Sequence, residues 1–127
     1  MSRGYPHTAT LWMRDGEGSD RRGRWRRRVL DGVMWSENRG ASAGPGGDVP
    51  KASWSAVVPM VFSGYVDPAR LADGRALGGA EWTIRRGDRM ALGESFAASP
   101  PPSARTVEAS ETVCKGRRPH HVEAAGS

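Results

Sequence analysis

The sequence predicts a mainly β protein, a small antiparallel β-barrel or sandwich with long loops and at most one short helix. Three observations predict it. Helical periodicity is scarce, short alternating runs rich in Val, Thr and Trp recur, and clusters of Gly, Pro and Ser separate those runs. At 127 residues the chain is long enough for one ordinary domain and too short for two. It therefore reads as a single β domain over 1–127, with its core in about 8–96 and 105–125, a flexible loop at 36–50 and a Pro-rich connector at 97–104.

"TATLWM", residues 8–13, is the first candidate strand. After the turn-like "RDGEGSD" comes a longer one, "RWRRRVLDGVMW". Strict alternation would place Trp25, Arg27, Val29, Asp31, Val33 and Trp35 on one face, and Arg26, Arg28, Leu30 and Met34 on the other. Residues 36–50 have no periodicity and read as loop. "SWSAVVPMVF" aligns Trp54, Ala56, Val58, Met60 and Phe62, and Pro59 suggests an edge or bulged strand. In "DPARLADG", Asp67 and Pro68 form a cap and first-turn pair and Gly74 could stop the turn, which predicts one short helix. "EWTIRRGDRMALGES" reads as a hairpin turning at Gly87 and Asp88. The segment "AASPPPSA" is too proline-rich to be anything but an extended connector. "RTVEASETVCKG" and "HHVEA" close the series, for five to seven strands in all. The expected core is Trp12, Val29, Val33, Trp54, Val58, Met60, Trp82, Ile84 and Leu92.

That core is thin. Leu, Ile, Val and Phe number only 18 of 127 residues, under the level at which a chain comfortably folds alone, so the composition suits a subunit whose fold is completed by neighbours. The formal charge is +5, and residues 1–28 carry eight basic against three acidic side chains, which accounts for the whole excess. Its densest part is "RRGRWRRR", residues 21–28. Arginine forks suit phosphate, and Trp25 among them could stack on an unpaired base. Equally, Trp25 could join the core while the arginines coat a solvated surface or meet an acidic neighbour. Alternation lets only two or three of them grip a common partner from within the strand, with Arg21, Arg22 and Arg24 adding reach from the turn. The candidate partner or DNA contacts are Arg21, Arg22, Arg24, Arg26 and Arg28.

Other motifs argue against catalysis. "GASAG", residues 40–44, fits a nucleophile elbow at Ser42, yet an elbow needs a helix after it and "PGGDVP" cannot form one. Cys114, His120 and His121, with only His7 as a further histidine, fall short of a zinc ligand set, and adjacent histidines on a strand point apart. Asp67, Asp73 and Asp88 are explained by caps and turns, and no phosphate-cradling glycine loop occurs. No catalytic residue, metal site or cofactor is expected. The lone cysteine cannot form an internal disulfide. The longest apolar run, "AVVPMVF", is far short of a membrane span of about 20 residues, and no signal-peptide pattern opens the chain. A soluble, unsecreted protein without membrane contact is expected.

With the residues read this far, the layout resembles the small, mostly β head–tail connector proteins of tailed bacteriophages and prophages, of the head-closure or neck type. The likeness rests on "TATLWMRD", the arginine-flanked strand ending in "VLDGVMW", the loop-rich middle, "GGAEWTIRRGDRMALGE", and the trailing "RTVEASETVCKGRRPHHVEAAGS". It spans about residues 8–125. The resemblance implies a non-enzymatic virion structural protein that joins head and tail as a homo-oligomeric ring. Portal, head and tail proteins would be its partners and DNA a possible contact in the channel. It further implies residence in the virion after assembly in the host cytoplasm, with loops 36–50 and 63–80 and the arginine strand as contact surfaces. The alternative reading of the same residues is a small basic nucleic-acid-binding β module.

Overall fold

The computed structural model describes residues 5–15, 24–38, 53–71 and 77–127. The runs rich in β-branched and aromatic residues become strands: β1 (His7–Asp15), β2 (Arg24–Asn38), β3 (Ser53–Pro59), β4 (Arg89–Leu92), β5 (Arg105–Thr106), β6 (Ala109–Lys115) and β7 (Arg118–Gly126). Every strand pairing is antiparallel, in the order β5-β4-β1-β2-β3-β7-β6, and the sheet curls into a half-barrel. The mainly β class expected from the alternating runs is the observed one.

β2 is the spine of the sheet. Its first part, up to Val33, pairs with β1, and the part from Met34 to Asn38 pairs with β3. Between them lies a β-bulge: His7 pairs with Val33 and Thr8 with Asp31, which leaves Gly32 as the extra residue, at φ +98°. A glycine is what that left-handed backbone favours. The inserted residue reverses the facing of everything after it. Leu30 is buried before the bulge, and Val33 and Trp35 are buried after it. Strict alternation over 25–35 is therefore corrected. Arg26, Arg28 and Leu30 share the inner, concave face with Val33 and Trp35, whereas Trp25, Arg27, Val29 and Asp31 lie on the outer face.

The core lines the inner face. Leu11, Met13, Leu30, Val33, Trp35, Trp54, Val58, Met90, Val107 and Val122 pack with Trp82 and Ile84. Each fully buried apolar side chain of this size contributes about 1.5–3 kcal/mol. Trp35 stacks on Trp54 with ring centroids 4.8 Å apart. Of the expected core, Met60 is only partly buried against this cluster and Val29 is half-buried on the outer face. Leu92, the last residue of β4, is 52% exposed. Trp12 is fully buried but stands apart from the cluster, because it points to the outer face.

Three further expectations are corrected, and a fourth, the one short helix, is met in shortened form. The turn over 85–88 forms, with Asp88 N–H donating to the Arg85 carbonyl, but its arms part: β4 pairs with β1 and β5, while Trp82 bridges in parallel to Tyr65. Burial of Trp82 and Ile84 on the inner face pulls that arm off the ladder. β3 is an internal strand, and Pro59 is tolerated because it is the last residue, beyond the Met34–Val57 pair where the pairing with β2 ends. The expected helix is a 3-10 turn, Pro68–Leu71, in which the Asp67 carboxylate accepts the Ala69 N–H at 3.0 Å; Gly74 and Asp73 lie outside the described residues. Finally, β2 runs on through Glu37 to Asn38, pairing with Trp54 and Ser53 of β3, so only 39–50 of the expected loop remain, and they lie outside the described residues.

The two ends of the sheet are drawn together. β5 pairs with β4 at one end and β6 with β7 at the other, yet only Val107 and Glu108 separate β5 from β6. Val107 exchanges backbone hydrogen bonds with the 85–88 turn, and Glu108 N–H donates to the Ala125 carbonyl. A Cβ at Gly126 would lie 2.2 Å from the Thr106 carbonyl oxygen, so this junction closes only around a glycine.

Candidate interaction surface

The arginine strand determines what the surface can do. Arg21 and Arg22 lie outside the described residues, and Arg24 enters only through its backbone, paired with Asp15. The structure divides the rest between two faces. On the inner side Arg26 Nη2 donates to the Gly79 carbonyl at 2.6 Å, and Arg28 Nη2 to the Ser63 carbonyl at 3.4 Å. The Arg28 guanidinium lies 5.6 Å above the Trp82 ring. On the outer side Arg27 Nη1 donates to the Ser95 carbonyl at 2.9 Å, and its guanidinium lies 5.7 Å from the Phe96 ring centre. Arg26 and Arg28 thus share a face, as expected, and Trp25, half-buried, is on the opposite one with Arg27. All three guanidiniums brace loops of the chain itself, so they are held in place by contacts that a phosphate would have to share.

Phe96, which the alternation analysis did not single out, is 80% exposed. It rides on segment 93–97, which straps the outer face of β1. Gly93 N–H donates to the Thr8 carbonyl at 2.6 Å, Thr10 Oγ1 donates to the Gly93 carbonyl at 2.7 Å and accepts the Ser95 N–H at 2.9 Å. Trp12 Nε1 donates to the Ala97 carbonyl at 2.8 Å. Thr10 and Trp12 are both fully buried beneath it. In register across three strands run Arg89, Trp12 and Arg27, which gives this outer face a cationic row. The only sequence hint of this strap is a lone phenylalanine among small and polar residues directly after a strand.

A cleft of about 540 Å³ opens between the 3-10 turn and the β6–β7 hairpin, lined by Tyr65, Asp67, Arg70, Glu81, Cys114 and Arg117. Tyr65 Oη is hydrogen-bonded to Thr112 Oγ1, and burial pushes the phenol above its ordinary pKa. Cys114 is exposed on its rim. Against the expectation that neighbouring histidines point apart, the His120 and His121 rings meet edge to face, with Nδ1 atoms 2.9 Å from one another. The pair lies beside the register shift between Val113 and Cys114 in β6. His7 is used in the fold, where Nδ1 accepts the Trp35 N–H at 3.0 Å. Among the described residues no three His, Cys, Asp or Glu side chains are gathered as a metal would need. Asp88, in its turn, is fully buried, and its carboxylate accepts the Arg14 and Arg85 N–H groups.

On the other half of the sheet, the outer faces of β3, β7 and β6 form a groove of about 490 Å³ lined by Ser55, Ala109, Glu111, Glu123 and Ala125. Glu111 and Glu123 are direct cross-strand neighbours. Among the described residues no helix is long and apolar enough to cross a membrane.

No curated protein and no solved structure matches the chain. One family model does, over residues 5–122, which takes in every strand described above except the last four residues of β7, and the chain therefore belongs to that family, a family of unknown function (DUF6751).

Proposed function

We propose that the chain is a non-enzymatic structural subunit of a tailed-phage virion, joining head and tail as part of an oligomeric ring. The observation that carries this reading is where the fold spends its polar chemistry. Arg26, Arg27 and Arg28 brace backbone carbonyls, Thr10 and Trp12 pin a strap, and Asp88 ties a turn. These groups build a wall with two finished faces, and an exposed aromatic and an acidic groove are left for contact with other chains. The resemblance to head-closure and neck proteins supports the same reading, as does the thin apolar content. Portal, head and tail proteins would be the partners, and the virion, with the host cytoplasm before assembly, the location. Co-expression with phage portal and tail proteins should yield co-purifying complexes and rings in negative-stain images. A strictly monomeric chain that never joins them would end this reading.

A second reading, a small basic nucleic-acid-binding β module, draws on Trp25, Arg27 and Phe96 sharing the outer face. It predicts affinity for a single-stranded oligonucleotide that falls steeply with salt. Arg27→Ala would lower that slope more than Arg26→Ala or Arg28→Ala, whose side chains lie on the inner face, and no affinity at low salt would remove the reading.

A further inference from the structure

We infer that Phe96 and Arg27 of one copy dock into the groove between Glu111 and Glu123 of the next, in a head-to-tail contact between copies of this chain. This deepens the ring reading above and rests on it.

The knob is preorganised. An exposed apolar residue by itself is ordinary, but the backbone carrying Phe96 is fixed by the hydrogen bonds of two fully buried side chains, Thr10 and Trp12. The strap gains little by burying its own side chains, since Glu94, Phe96 and Ala97 are exposed. A rigid, protruding aromatic beside an arginine is the composition of an interface anchor, with its ordering cost already met in the free chain.

The groove has the complementary chemistry. Small residues, Ala109, Ala125 and Ser55, leave room for an aromatic ring. Glu111 and Glu123 face each other directly across the β6–β7 pair, and both are exposed. Like charges in that position destabilise a sheet unless a cation comes between them. Within the chain, Glu123 meets His121 at 3.0 Å. An arginine from outside, delivered at the rim as the ring enters the groove, would relieve the repulsion.

Complementarity points to a second copy as the occupant, because the same chain carries both the aromatic–arginine knob and the groove with two facing carboxylates. The knob is on the outer face of the β4-β1-β2 half, and the groove is on the outer face of the β3-β7-β6 half. Curling turns those outer faces in different directions, so a molecule cannot close its knob on its own groove. Each copy offers one of each, which makes the contact heterologous, and such contacts close into rings when the rotation allows.

The test is the association state of the full chain by sedimentation velocity over a wide concentration range. Phe96→Ser, and separately the double variant Glu111→Arg with Glu123→Arg, should each move self-association to at least about tenfold higher concentration, as loss of a hot spot does. Mixing the two variants should restore a contact that stops at one-to-one pairs, because one keeps its groove and the other its knob. Arg27→Glu carries the test if Phe96→Ser loses its fold, judged by near-ultraviolet circular dichroism. Variants that associate as the wild type does would overturn this surface and leave the ring reading standing. A wild type that stays monomeric both alone and with portal and tail proteins would overturn the ring reading itself. Binding of a labelled single-stranded oligonucleotide that Phe96→Ser abolishes would assign the knob to nucleic acid and overturn the self-contact.

Discussion

The two sides of β1 are buried by different means. Inward, Leu11 and Met13 meet Leu30, Met90 and Trp82 in a continuous apolar core. Outward, Thr10 and Trp12 are covered by a single strap of chain held by hydrogen bonds. Trp12 and Trp82 are equally buried, at 0% exposure, and each donates its indole N–H to a backbone carbonyl. Their surroundings differ. Trp82 is packed by Tyr65 at 4.9 Å and Phe62 at 6.0 Å, both from the segment after β3, and by the Arg28 guanidinium from β2. A residue enclosed by several elements leaves a cavity when it is cut back, whereas one covered by a single segment lets that segment settle.

The largest expected effect sharpens that contrast. Trp82→Ala should cost about 3–5 kcal/mol, the range for removing a large aromatic from a core that cannot collapse. This is a large share of the stability of a domain with a thin core. Trp12→Ala should fall at or below the bottom of the same range, because the strap can drop toward β1. Urea unfolding of the two variants measures the gap. Equal losses would mean that the strap is as rigidly placed as the core and that the distinction fails.

Next in size is the joint between the two sides. Asp88 is fully buried, its carboxylate accepts N–H groups of Arg14 and Arg85, and its carbonyl accepts Val107 N–H, so it ties β1, the turn and the β5–β6 junction together. Burial raises its pKa from 3.8 to about 6, against the opposing pull of those two N–H groups and the Arg85 and Arg14 charges. A folded-state pKa above the unfolded one means that the folded chain holds the proton more tightly. Its contribution is therefore full below about pH 4 and is lost as pH rises to about 6, a fall of about 3 kcal/mol. Asp88→Asn has no proton to lose. Its stability relative to the wild type should rise across that window, measured by urea unfolding at intervals of pH. A constant difference would show that the carboxyl titrates normally.

The parts of this design legible in the sequence were those governed by period and by turn chemistry. Trp54, Ala56 and Val58 alternate and are buried as their spacing predicts, Asp67 caps as an Asp before Pro should, and the turn at Gly87 and Asp88 forms. What escaped depended on long-range contacts. Gly32 sits in a run that alternates perfectly well without a bulge, and only the pairing of His7 with Val33 and Thr8 with Asp31 reveals the extra residue. Missing it exchanged the faces of Leu30 and Val29. The same holds for the contact surface. The arginines were conspicuous as a run, but which of them share a face depends on the bulge, and what each one braces depends on loops 35–68 residues away in sequence. Phe96 has no alternating neighbours to place it, and Glu111 meets Glu123 only through the β6–β7 register.

The smallest effect isolates the outer side. Thr10→Val keeps the shape of the side chain but leaves the Gly93 carbonyl and the Ser95 N–H without the hydroxyl that serves both. Unmade hydrogen bonds of this kind cost about 1–3 kcal/mol, and the low end applies here because the strap lies at the surface, where water can reach the freed groups. The inner core keeps every contact, since Thr10 points away from Leu11, Met90 and Leu30. Amide hydrogen exchange should therefore speed up at Ser95 and Ala97 while the β3–β7 and β6–β7 ladders keep their protection. Faster exchange throughout the sheet would mean that strap and core open together, and that the two sides of β1 form one cooperative unit.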